Sequence, residues 1–325
     1  MKPSISICIP TYQRPKFLKE ALDSVLEQTL QPVEIVIGDD SHDDLSENLI
    51  LDIKKECKIP ITYTRHSPSL GQAGNVNFLY EMAKGDYIVL LHDDDLLLPN
   101  ALEDLNSCWK LYPDLVAAYG KQYFMSDEGT IDFNHSSKIN QYYFRTSDKA
   151  GLQKSSVVAA LLHQFPNDCF MVLSSAAKAV KWRTEAGYGG DFDFGLRLSL
   201  EYSNFFFLDK YTAKYRLSKV SISSNINDDS TAQSFDIIRN TNFSEELSWA
   251  KEYELKREAS TAIIQLLNVG KKAQALDIYF SQYYPLSKRL SLGGIRRLIK
   301  AFLPKSIEKL ALLGLRLKLY CKLQK

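Results

Sequence analysis

The chain contains no apolar run approaching the roughly eighteen residues that a membrane-spanning helix requires. Its opening segment, Met1 to Tyr12, carries a short alternating apolar run stopped by Pro10, without the long apolar core of a signal peptide. Cysteine is sparse and scattered: Cys8, Cys57, Cys108, Cys169 and Cys321 form no Cys-x-x-Cys pair and are odd in number. That excludes a zinc ribbon and a disulfide framework, and it fits a reducing cytoplasm. Internal repeats and low-complexity tracts are also lacking. Net charge is only +1, which gives no overall attraction to a polyanion, so a nucleic-acid partner is not expected.

What is present is ordinary in bulk and uneven in distribution. With 45% hydrophobic and 24% charged residues, the 325-residue chain fits one large domain, alone or with an appendage. From Lys288 to Lys325 there are eleven Lys or Arg residues against one acid, Glu308, so that segment carries +10 and the remainder −9. A mildly acidic body therefore bears a strongly basic end.

The pattern of the first 120 residues alternates strands with helices. Ser4–Ile9, Val33–Gly38, Ile61–Arg65 and Tyr87–Leu91 are short and apolar, rich in β-branched residues, and read as strands. Between them, Phe17, Leu18, Ala21, Leu22, Val25 and Leu26 form a helical stripe, and helices are expected near 47–56, 73–83 and 99–111. A fifth strand is expected over 116–119. This order predicts an α/β fold with a doubly wound, mostly parallel sheet covered by helices on both faces. From Lys121 to Ala150 the pattern loosens, and antiparallel pieces or long loops are expected. Helices follow at 155–164 and 191–202, then late strands at 204–208 and 211–217. The polar stretch 218–230 marks a boundary, and the chain beyond it reads as helical. The expected domains are 1–220 and a helical region 221–325 with a basic amphipathic tail over 285–325.

The most informative stretch is Gly85-Asp86-Tyr87-Ile88-Val89-Leu90-Leu91-His92-Asp93-Asp94-Asp95. A buried strand runs straight into three carboxylates, whose mutual repulsion costs free energy that a cation would remove. Hard divalent ions take oxygen ligands, often one or two carboxylates plus substrate phosphates. Open α/β sheets bind ligands outside the carboxyl ends of their strands, where this triplet lies. Thr11 and Asp39-Asp40 end the neighbouring strands and face the same crevice. A carboxylate there binds a base or ribose, or simply caps the next helix.

Five segments in order carry a family resemblance: Ile9-Pro10-Thr11-Tyr12-Gln13-Arg14, Ser24-Val25-Leu26-Glu27-Gln28, Glu34 to Ser41, Gly85 to Asp95, and Gly190-Asp191-Phe192-Asp193-Phe194-Gly195-Leu196-Arg197. Over about the first two-thirds the chain resembles the family 2 glycosyltransferases of the GT-A fold, of the kind that build bacterial surface glycans. The resemblance implies a nucleotide-sugar donor bound by Pro10, Thr11, Tyr12, Arg14, Asp39, Asp40, Gly71, Asn75 and Asp93. Asp39 is assigned to the base and Asp93 to the ribose. It implies Mn2+ or Mg2+ held through Asp94, with His92 standing where many members carry the first Asp, so that Asp93 or His92 also lies close to the ion. It makes Asp191 the general base of an inverting transfer. Gly190 replaces a common Glu, while Asp193 and Arg197 are spaced as an i,i+4 ion pair.

The resemblance implies transfer of one sugar, with a UDP-sugar as the expected donor. The Gln-x-x-Arg-Trp motif of processive relatives is missing. Ile295, Leu298, Ile299, Phe302 and Leu303 lie along one helical face among Arg and Lys residues, and a second basic, leucine-rich helix is expected from 306 to 323. Such helices lie on anionic membranes. A lipid-linked glycan acceptor at the inner face of a cell membrane is the resulting expectation. Two other readings stand beside it: a polyprenyl-phosphate glycosyltransferase, and an inactive GT-A scaffold at the membrane.

Overall fold

The computed structural model describes residues 3–218 and 228–302. The chain divides into two compact units, Met1–Ser221 and Ile222–Lys325.

The first unit is built on a mixed sheet of nine strands among the described residues: β1 (Ile5–Thr11), β2 (Glu34–Asp39), β3 (Ile61–Arg65), β4 (Tyr87–Leu90), β5 (Leu96–Leu97), β6 (Ala117–Met125), β7 (Gly151–Leu152), β8 (Met171–Leu173) and β9 (Phe205–Arg216). The strand order is β3-β2-β1-β4-β8-β6-β9-β5, and β7 adds to β9. Six strands (β1 to β4, β6 and β9) run one way; β5, β7 and β8 oppose them.

The helices of this unit are α1 (Pro15–Leu26), α2 (Leu45–Lys54), α3 (Gly71–Met82), α4 (Ala101–Leu111), α5 (Phe133–Tyr142), α6 (Ser156–Leu161), α7 (Ser174–Val180) and α8 (Gly190–Glu201). They bury the sheet on both faces. Ile5, Ile7 and Ile9 of β1 pack with Leu18, Leu22 and Val25 of α1. On the other face, Cys8 and Val36 pack with Val76 and Leu79 of α3 and with Phe194 and Leu198 of α8. A strand buried on both sides reads as the continuous apolar run seen in the sequence.

Three departures from the sequence reading have local causes. The loosened stretch 121–150 contains a longer strand and a whole helix, α5, rather than antiparallel pieces or long loops. Helix α5 has few good helix formers, and hydrogen bonds to its neighbours replace propensity. Asp132 caps it by accepting from His135 N at 2.8 Å. Asn140 Nδ2 donates to Gln122 O at 2.8 Å, and Ser136 Oγ accepts from Phe124 N at 2.8 Å, which ties the helix to β6. The two late strands are one, β9, whose register against β6 shifts near Lys121. Strands β5 and β8 have two and three residues, too short to show alternation.

The second unit is helical where described: α9 (Ser230–Asn240), α10 (Ser248–Asn268), α11 (Lys272–Phe280), α12 (Leu286–Arg289) and α13 (Leu292–Phe302). None of the described helices is long and apolar enough to cross a membrane. The expected helix at 306–323 lies outside the described residues.

Candidate active site

Strands β1, β2 and β4 run parallel and adjacent, so Thr11, Asp39 and the triplet after Leu90 emerge at the same sheet edge. The chain brings Thr11 and Asp93 into direct contact. Thr11 Oγ1 donates to Asp93 Oδ2 at 2.7 Å, and Arg14 Nη2 lies 3.5 Å from Asp93 Oδ1. Arg14 Nη1 donates to Asp94 Oδ2 at 2.6 Å. Asp93 is only 2% exposed. Burial pushes its carboxyl up to about 6, and Asp94 adds to the rise, against the pull of Arg14 and the Thr11 hydrogen bond. Tyr12 stands half-exposed beside this pair, its ring edge-on to His42. Pro10 pairs opposite Gly38, one residue before β1 ends at Thr11 opposite Asp39.

At the end of β2, Asp39 is fully buried. Its Oδ1 accepts from Ser41 N and its Oδ2 from Tyr63 OH, both at 2.7 Å. Asp40 Oδ1 accepts from Leu70 N at 2.9 Å and so anchors the loop before α3. Gly71 opens that helix at φ +70°, a left-handed conformation suited to glycine. Asn75 lies beneath this loop, not on its surface. Its Nδ2 donates to Gly38 O at 2.9 Å, and its Oδ1 lies 3.2 Å from His66 Nε2. A Cβ at position 38 would meet Asn75 Oδ1 at 2.0 Å, so glycine is what lets the amide insert.

The rest of the acidic motif turns inward. His92 N donates to Asp168 Oδ2 at 3.1 Å, and His92 Nδ1 sits 3.9 Å from the same oxygen. His92, Asp95 and Asp168 bring one donor atom each within 4.8 Å of one another. Burial, reinforced by Asp168 and Asp94, holds the Asp95 carboxyl well above the usual carboxylate range. Asp168, itself fully buried, accepts from Gln122 Nε2 at 3.3 Å, and Gln122 Oε1 accepts from Arg145 Nη1 at 2.9 Å.

Arg216 fixes the motif from the end of β9. It is 1% exposed; its backbone N donates to Asp95 Oδ1 at 2.6 Å, and its Nε to Asp94 O at 2.8 Å. Its remaining nitrogens reach Asp127 O and Glu20, and its guanidinium lies over the Phe17 ring. Sequence reasoning missed Asp168 and Arg216, since neither belongs to a motif.

Asp191 occupies the first turn of α8, where its Oδ1 accepts from Phe192 N at 2.6 Å. It lines a recess with His163, Phe165, Asn167 and Gly195. Burial raises its carboxyl above the ordinary Asp value; His92 and His163 lower it, and Asp168 raises it again. Asp191 therefore lies within electrostatic reach of His92 and Asp168, the residues packed on Asp95. Asp193 faces away into the core, where it takes both Arg183 and, at 2.7 Å, Arg197. The i,i+4 pair expected from the spacing forms. Trp182 is buried in the core.

Carboxylate oxygens gathered and buried at a strand end suit a hard divalent cation. Residues 6–167 match the family model for Glycosyl transferase family 2. The chain belongs to that family.

This family 2 chain is 25% identical over 218 residues to the GalNAc(5)-diNAcBac-PP-undecaprenol beta-1,3-glucosyltransferase of Campylobacter jejuni. The match covers 66% of the chain and 65% of that relative, just under two thirds of its length. Among solved structures, the mannosyltransferase PcManGT from Pyrobaculum calidifontis, in complex with GDP-Man and Mn2+, superposes with a TM-score of 0.59 at 14% identity, covering 94% of this chain and 88% of the other. S. aureus TarS 1-349 in complex with UDP-GlcNAc gives 0.55 at 16% identity, covering 92% and 79%. At these identities the likeness carries the fold, and the family 2 chain has the GT-A fold.

Proposed function

We propose that the protein transfers one sugar from a nucleotide-diphosphate sugar, with a UDP-sugar as the leading donor, to a hydroxyl of a glycan acceptor, with inversion at the anomeric carbon. The observation that carries this reading is the gathering of Thr11, Arg14, Asp93 and Asp94, with Asp39, at the carboxyl ends of adjacent parallel strands. Asp39 receives the base, and Asp93 the ribose, beside Pro10, Thr11, Tyr12, Arg14, Asp40, Gly71 and Asn75. Asn75 acts from below, by tying α3 to Gly38 at the end of β2 and to His66.

Mn2+ or Mg2+ would be held through Asp94, with Asp93 adjacent, and would supply Lewis-acid stabilisation of the leaving diphosphate. His92 is turned toward Asp168, so its Nδ1 is directed at a carboxylate rather than at this ion. Asp191 accepts the proton of the attacking hydroxyl. Burial raises its proton affinity above that of an ordinary Asp, the direction that favours a base. The buried Asp193, Arg183 and Arg197 set fixes the helix that carries it.

The acceptor reading rests on the second unit and on a relative. The Campylobacter protein is named for a polyprenyl-diphosphate-linked glycan, which supports a lipid-linked acceptor here. In α13, Gly294 and Ala301 face inward, while Leu292, Ile295 and Phe302 are exposed, Phe302 at 67%. An outward apolar stripe beside the exposed Arg296, continuing into a basic segment, fits the surface of an anionic membrane. The protein would then work peripherally on the cytoplasmic face, in surface-polysaccharide synthesis.

A thermal-shift panel of nucleotide sugars with and without Mn2+ tests the donor reading, because ligands bound only by the native state raise its apparent stability. One nucleotide class should stabilise the protein in a Mn2+-dependent way, and Asp94→Ala should abolish that dependence. No response to any nucleotide sugar would contradict the reading and favour the scaffold.

A further inference from the structure

We propose that Arg14 is an exchangeable counter-ion. It occupies the acidic pair in the free protein and is handed to the donor diphosphate when a cation takes Asp94. This rests on the donor and cation reading above and adds a coupling that the reading does not contain.

The geometry supports an exchange. Arg14 Nη1 donates to Asp94 Oδ2 at 2.6 Å, the carboxylate assigned to the cation, and its Nη2 lies 3.5 Å from Asp93 Oδ1. A guanidinium in direct contact with Asp94 opposes a divalent ion by like-charge repulsion and competes for the same oxygen. The Arg14 side chain is partly open to solvent, 22% exposed, against 12% for Asp94, so it has room to leave. Its backbone is the cap residue before α1 and follows Gln13, a non-glycine residue at φ +54°. Such a conformation concentrates bending at one residue and marks a position held by its surroundings. Gln13 N donates to Ser41 Oγ at 2.7 Å, which ties this turn to the end of β2 on the other side of the crevice. Thr11, by contrast, holds Asp93 from the rigid end of β1. One of the two groups on the acidic pair is therefore fixed, and the other sits on a turn.

The arrangement predicts that cation and diphosphate bind cooperatively. A cation alone must displace Arg14 with no new partner for the guanidinium. With a diphosphate present, the freed fork pairs with phosphate oxygens, which Arg matches in geometry. Linkage requires the effect to be reciprocal: the cation must raise nucleotide affinity by the same factor.

The test is calorimetric titration of Mn2+ into the full-length protein, alone and in the presence of UDP, GDP or dTDP. It is run on the wild type, Arg14→Met and Arg14→Lys, with ligand-free thermal midpoints as a folding check. Arg14→Met should bind Mn2+ alone roughly tenfold more tightly than the wild type, the scale of a partly buried ion pair. Its gain in Mn2+ affinity on adding nucleotide should shrink. Arg14→Lys, which keeps the charge, should stay near the wild type for Mn2+ alone. Equal or weaker Mn2+ binding by a folded Arg14→Met variant would overturn the exchange and leave the donor reading standing. Mn2+ binding by none of the three proteins, with or without nucleotide, would overturn both.

Discussion

Replacing Asp93 with asparagine should make the protein more stable at neutral pH and change it little in acid. Asp93 is buried at 2% exposure, and its carboxyl is pushed from an ordinary 3.8 up to about 6 by burial first and Asp94 after it. The folded state therefore binds this proton more tightly than the unfolded state. Below about pH 4 the group is protonated in both states and costs nothing. As pH rises through 4 to 6, the unfolded chain ionises first and the folded state falls behind; above 6 the full penalty is present. About two pH units at about 1.4 kcal/mol each give a loss on the order of 3 kcal/mol. Asparagine keeps an oxygen to accept the Thr11 hydroxyl and carries no charge to desolvate, although it weakens the Arg14 contact. The assay is urea unfolding of wild type and variant at intervals from pH 4 to pH 8 without divalent ions. The midpoint difference should grow in favour of Asp93→Asn across pH 4 to 6 and then level off. A difference independent of pH, or one that shrinks as pH rises, would refute the placement of a costly buried carboxylate at this position.

Arg216→Met should cost about 2–4 kcal/mol, chiefly from buried backbone carbonyls that lose their donor, since its partner Glu20 is partly exposed. It strands Glu20 and the carbonyls of Asp94 and Asp127; a urea midpoint near that of the wild type would contradict the role given to this residue. Ile295→Asp combined with Phe302→Asp should abolish co-sedimentation with vesicles containing phosphatidylglycerol. The wild type should bind them in low salt and release at high salt; equal binding to neutral phosphatidylcholine vesicles would contradict an electrostatic docking surface.

Much of the first unit was legible because its strands are buried on both faces. Ile5, Ile7 and Ile9, or Val36 and Ile37, leave little doubt about period or burial, and β3 spans 61–65 as expected. The four-strand parallel half therefore followed from local pattern. The other half did not, since β8 is three residues long and antiparallel to both neighbours, and α5 depends on side-chain hydrogen bonds to β6 that no periodicity reveals. The site divides in the same way. Thr11 and Asp39 share a sheet edge because their strands are adjacent, as strand order and strand ends lead one to expect; that β4 lies on the other side of β1 is a matter of topology. That His92 faces Asp168, that Asn75 ties α3 to Gly38, and that Arg216 clamps the motif depend on contacts spanning 76, 37 and 122 residues of separation, respectively. Composition and spacing hold no trace of such pairings.

The proposed transfer depends on a division of labour between the acidic motif and Asp191. Asparagine at position 191 keeps the oxygen that accepts from Phe192 N at 2.6 Å, so the helix start should survive the change. Single-turnover transfer by Asp191→Asn, measured beside donor affinity with the donor that the thermal panel identifies, isolates the base. Transfer should slow by roughly a hundred- to ten-thousandfold while donor affinity stays near that of the wild type. Transfer at close to the wild-type rate would contradict the proposed role of Asp191.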